Sequence, residues 1–166
     1  MTKLKTVSRS GHHGNASGDY YDPVTQPRLF DRVIRKRILA FVVDAIIIIS
    51  LTAVAFVSVA VLGVVTLGLA WFLFPLVFPV VALGYNAITI GGPKSATIGM
   101  RSMGLTVRLW NGGKVLPLIA AFHALLFWVS LYSLVLWIPN VLWPLFDARK
   151  RCLHDILAGV VVINRS

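Results

Sequence analysis

RKRILAFVVDAIIIISLTAVAFV, residues 35–57, opens with three cations and then runs apolar except for one aspartate, Asp44. A bilayer-spanning helix needs about 20 apolar residues, and this stretch supplies them. A carboxylate at that depth costs roughly 2.5–3.5 kcal/mol on insertion scales. Whatever offsets that cost is the way into function.

Working outward, the apolar character is general. The chain is 57% hydrophobic and 13% charged, with a mean hydropathy of +0.81. Soluble domains carry about 25% charged residues, so this is the composition of a membrane protein. Sixteen Lys and Arg stand against six Asp, giving a formal charge of +10. The cations flank apolar runs: Arg28, Arg32, Arg35, Lys36 and Arg37 precede the first, and Arg149, Lys150 and Arg151 follow the last. Such flanks read as cytoplasmic anchors facing anionic lipid headgroups. Nucleic-acid binding is set aside, because no aromatic-basic module accompanies the charge. One cysteine, Cys152, excludes an intrachain disulfide and a cysteine-rich zinc site. Its basic neighbours favour a lowered thiol pKa, but the thiol is read as incidental.

Residues 1–30 are polar, lack helical periodicity and read as a flexible cytoplasmic tail, His12 and His13 included. The first apolar run starts after that long leader and far exceeds a signal-peptide core of about 7–15 residues. Between Ile38 and Ile90 the only charge is Asp44. That length makes two spans, about 38–61 and 69–90, broken at GVVTLG (residues 63–68) where glycines punctuate the pattern. Pro75 and Pro79 are expected to kink the second span.

Residues 91–116 turn polar and must lie on the side of the N-terminus. GLTVRLW (residues 104–110) alternates as a strand, and NGG follows as a turn. The third apolar block, 117–146, is long for one span and short for two. Pro139 and Pro144 argue for a single helix ending near Ile138, with NVLWPLF in the interface and Trp128, Trp137 and Trp143 in an aromatic belt. The positive-inside rule argues for a pair of short helices that returns DARKRCLHD to the side of the other cations, and the C-terminus is placed there. AGVVVINRS (residues 158–166) reads as a strand able to pair with GLTVRLW on that side.

Arg37 and Asp44 are seven residues apart and so share a helix face. Asp44 lies roughly 9 Å inside the span. Two turns are too many for an ideal direct salt bridge, so water or another span must complete the network. Tyr85, Asn86, His123 and Arg101 are the candidates. Three readings of Asp44 stay open: a cation or proton site in a transport path, a hydrogen-bonded lock on helix register, or a group that snorkels to the headgroups. His123 is either a proton relay or a packing histidine.

Three stretches together resemble the RDD family of small bacterial membrane proteins: RILAFVVD (residues 37–44), SATIGMRSMGLTV (95–107) and RKRCLHDILAGVVVI (149–163). The likeness covers about residues 28–164. The family is named for one arginine and two aspartates, which match Arg37, Asp44 and, for the second aspartate, Asp155 rather than Asp147. Where the family usually has a lysine before the loop arginine, this chain has Met100 before Arg101. The resemblance implies transport of small ligands, and for some members sodium/proton exchange. It also implies that Arg37 and Asp44 act as a unit, with Asp155 recruited from the C-terminal segment.

No enzyme signature is present. GGPKSATIG lacks the ending of a phosphate loop. His154–Asp155 is one pair without a second cluster, and Asp155 is expected to cap or pair with a loop arginine such as Arg101. No cofactor or metal is expected. The expectation is thus an all-α, multi-pass inner-membrane protein. It has two clear spans, a third block that is one span or a short helical pair, and a small polar cytoplasmic segment. Its domain covers residues 31–164, its N-terminus is cytoplasmic, and its polar network is Arg37, Asp44, Asp155, Arg101 and His123. It either carries small ligands or cations as a homo-oligomer, or acts as a non-catalytic scaffold for another membrane protein.

Overall fold

The computed structural model describes residues 20–165. Helix α1 (Val33–Val65) is 33 residues long, roughly 50 Å at 1.5 Å per residue. That exceeds a hydrocarbon core of about 30 Å, so its first turns, with Arg35, Lys36 and Arg37, lie at one end of the molecule. Ala40, Asp44, Ile48 and Thr52 are buried at four-residue spacing and form one inward stripe. Val42, Ile46, Ile49, Val54 and Val57 face outward, as suits a helix solvated by lipid.

The chain turns at residues 66–68, inside the expected break. Gly63 is required there: a Cβ on it would meet the Trp71 indole at 1.8 Å. A 3-10 turn (Leu69–Leu73) leads into α2 (Phe74–Ile90), with Pro75 in its first turn and Pro79 inside it. These two helical stretches are long and apolar enough to cross a membrane.

Of the two forms expected for the third block, the short helical pair is the one observed. It does not run as one helix to Ile138. Helix α4 (Pro117–Tyr132) ends at Ser133, and α5 (Leu134–Phe146) follows with a bend of 117°. Pro139 and Pro144 sit within α5 rather than ending it. The Trp128 ring packs edge-on against Phe78 of α2 at 5.0 Å.

The bent pair brings the chain back to the end where it started. There β1 (Leu105–Leu109) pairs antiparallel with β2 (Val160–Asn164), Leu105 opposite Asn164 and Leu109 opposite Val160. One face of the ribbon, Leu105, Val107, Val160 and Val162, packs on Val33 and Ala40 of α1, Ile90 of α2 and Ala120 of α4. The other face, Val161 and Ile163, is covered by Phe30, Tyr21 and Leu29. The alternation is the strand period of two. Two short helices flank the ribbon: α3 (Ile98–Ser102) and α6 (Leu153–Leu157).

Of the stretch expected as a tail, 1–30, residues 20–30 pack on this ribbon. Residues 1–19, with His12 and His13, lie outside the described residues, while Phe30 is buried and Tyr21 O accepts from Arg149 Nε at 3.0 Å. Asn164 fastens this cover by donating to the carbonyls of Arg28 and Asp31.

Candidate functional site

The α1 stripe delivers Asp44 to a junction of three elements. Its Oδ1 accepts from Tyr85 OH of α2 at 2.6 Å and from the Gly99 amide of α3 at 2.8 Å. Its Oδ2 accepts from Thr97 Oγ1 at 2.6 Å. Thr97 is also the N-cap of α3 and accepts from the Met100 amide. Gly99 permits the approach: a Cβ there would lie 2.2 Å from Ala40 O and 2.8 Å from the Asp44 carboxyl carbon. Neutral donors thus offset the cost of the buried acid.

Arg37 does not reach Asp44. Its guanidinium bonds Asp155 Oδ2 and, at 3.0 Å, Lys150 O. Asp155 is fully buried. Its Oδ2 also accepts from the Cys152 amide at 2.8 Å, capping α6, while Oδ1 lies 2.8 Å from His123 Nε2 of α4 and 3.3 Å from His154 Nε2. Asn140 of α5 holds His154 from behind, facing both its backbone N–H and its Nδ1. Burial works to raise the Asp155 pKa, but Arg37 and the two histidines hold it well below the usual carboxylate range. Burial pushes His154 down to about 3 and the Cys152 thiol up to about 11. Cys152 is therefore not the activated thiol its basic neighbours suggested.

The network expected from the sequence is thus two networks. Tyr85 joins Asp44, and His123 joins Asp155. Asp155 does cap a helix, but its arginine is Arg37. Arg101 joins neither: it donates to the carbonyls of Ala96 and Thr89. The sequence reading missed Thr97, Gly99 and Asn140. Thr97 carried a weak signal, since a threonine after a glycine- and proline-containing turn is an N-cap candidate; Gly99 and Asn140 carried none.

The two networks open onto one space. A cavity of about 380 Å³ lies between α1, α4 and α5, with Arg37, Asp44, Asn86, Thr97, His123 and His154 on its wall among apolar side chains. Arg37 at the head of α1, Asp44 two turns in and Asp155 within α6 are the residues on which the resemblance rests, now with geometry. The family model described as RDD family matches residues 32–159. The chain belongs to the RDD family. The matched stretch runs from the head of α1 through both networks to the turn before β2. No curated protein and no solved structure matches the chain. Family membership and the two spanning helices make this an integral membrane protein.

Proposed function

We propose that this RDD protein carries a small cation, or another small ligand, across the inner membrane, with Asp44 as the group that binds the ion or the coupled proton. The observation that supports this reading is the cavity, whose wall brings Asp44 together with Arg37, Asn86 and His123. Intramembrane acids beside cavities mark ion and proton pathways. The hydrogen bonds to Asp44 come from neutral groups, so a bound cation meets a carboxylate whose charge is not already matched. The ribbon end carries Arg32, Arg35, Arg108, Lys150 and Arg151; by the positive-inside rule it faces the cytoplasm and anionic lipid. So few spans suit a pathway built between copies of the chain, hence a homo-oligomer.

A second reading has its own observation. Asp44 accepts on both oxygens and ties α1 to α2 and α3, which is what a lock in a non-catalytic scaffold requires. Proteoliposomes separate the two. A pH gradient is imposed, sodium, lithium or potassium is added, and a trapped dye is followed for wild type and Asp44→Asn, with folding checked by elution profile. Cation-dependent flux lost in a folded variant supports the carrier. Absence of flux in wild type, with the variant losing its assembly, supports the lock.

A further inference from the structure

The Asp155 cluster has one contact that a neutral histidine does not satisfy. Asn140 settles where the protons sit. Its side-chain oxygen accepts the backbone N–H of His154 at 3.1 Å and faces His154 Nδ1 at 2.8 Å. A backbone N–H only donates, so this Asn140 atom is the oxygen, and Nδ1 must carry a proton. The other end of the amide agrees: Asn140 Nδ2 donates to Ser130 Oγ at 2.9 Å, and that hydroxyl donates to Phe127 O at 2.7 Å. In the neutral ring His154 Nε2 is then a lone pair, and it points at Asp155 Oδ1 from 3.3 Å. Two acceptors that close repel unless a second ring proton or a metal cation joins them, and a buried ring disfavours the second proton. His123 adds a second unspent atom, since its Nδ1 is buried without a partner.

We infer that His123, His154 and Asp155 form a binding site for a divalent cation of the zinc class, with a further coordination position open to the cavity between α1, α4 and α5. One ligand atom from each of the three lies within 4.8 Å of the others. Zinc bonds of about 2.0–2.1 Å to nitrogen and oxygen set tetrahedral ligands about 3.3–3.4 Å apart. The His154–Asp155 spacing of 3.3 Å already matches, and the His123–Asp155 spacing of 2.8 Å must open slightly. On binding, the His123 proton passes from Nε2 to Nδ1, and Nε2 becomes a ligand with no net proton released. The outer groups are those of a metal site: Asn140 accepts from the far nitrogen of His154, and Arg37 and the Cys152 amide hold the other Asp155 oxygen. Arg37 also offsets part of the carboxylate charge, so the ion is held reversibly. His123 and His154 line the cavity, which gives the ion its way in.

The site is tested at equilibrium, without a gradient, so the carrier proposal and this one fail separately. The full chain is purified with His12→Ala and His13→Ala to remove the paired tail histidines, stripped with chelator, and titrated with Co²⁺. The expected result is one ion per chain, with the intense visible bands of four-coordinate Co²⁺, bleached by Zn²⁺ and lost in His123→Gln. Asn140→Ala keeps all three ligands and is expected to weaken binding roughly 10–100-fold. A parent protein that shows only the pale spectrum of hydrated Co²⁺ overturns the site, as does undiminished binding in His123→Gln. If His123→Gln does not fold, the parent spectrum and Asn140→Ala still decide.

Discussion

Two buried aspartates border one cavity and are held in opposite ways. Asp44 rests on a phenol, a hydroxyl and an amide, all neutral, from α2 and α3. Asp155 rests on a guanidinium at one oxygen and faces two imidazoles at the other. Neutral donors hold a carboxylate without matching its charge, which is what the proposed cation site requires of Asp44. A guanidinium at one oxygen offsets part of that charge, so Arg37 and Asp155 clamp the head of α1 to the C-terminal segment. The same residue type thus does two jobs, and the partners decide which.

Breaking the clamp carries the largest expected effect. Asp155→Asn leaves the Arg37 guanidinium without its carboxylate, and losing one partner of a buried pair costs about 3–5 kcal/mol. Thermal unfolding in detergent is expected to show this as a large drop in Tm or as loss of folded protein. Gly99→Ala comes next. Its Cβ would meet Ala40 O at 2.2 Å, and forcing α3 away costs about 1–3 kcal/mol. The same measurement reads it, and cation flux should fall with it. Tyr85→Phe keeps the ring but removes one donor to the Asp44 carboxylate and the acceptor of the Ile98 amide, which costs about 1.5–3 kcal/mol. A Tm loss as large as that of Asp155→Asn would erase the distinction between the two sites.

Acid sharpens the comparison more gently. The folded-state pKa of His154 is lowered from 6.5 to about 3, so the unfolded chain takes up that proton first. Stability is therefore lost as pH falls below 6.5 towards 3. Asp155 is also lowered, from 3.8, so its contribution is present above 3.8 and is lost as pH falls towards its folded value. Both slopes have one sign. In chelator-treated protein Tm should fall on acidification, and His154→Gln should flatten the upper part of that fall.

Much of this frame was legible in residues. Hydropathy and the glycines of GVVTLG placed α1, the turn and α2. The alternation in GLTVRLW and VVVIN, with the cations around them, placed a ribbon at one end. The break in the third block was hidden because it falls at Ser133, which no proline or glycine marks, while the prolines that invited a break sit inside α5. Residues 20–30 looked like tail because Tyr21 and Phe30 acquire their reason only from the outer face of β2. The site was half legible. Arg37, Asp44, His123 and Asp155 announced themselves as polar groups in or beside apolar runs. Their pairing did not, because Arg37 meets Asp155 across 118 residues and Asp44 meets Thr97 across 53. The seven-residue spacing of Arg37 and Asp44 gave them a common face but not a common partner.

The most direct measurement compares the two carboxyls in one sample. Membranes holding the protein are treated with a bilayer-soluble carbodiimide, with and without sodium, and Asp44 and Asp155 are read by peptide mass spectrometry. The expected result is labelling of Asp44 through the cavity, protection of Asp44 by sodium, and little reaction at Asp155 beneath Arg37. Labelling of Asp155 with Asp44 untouched would contradict it.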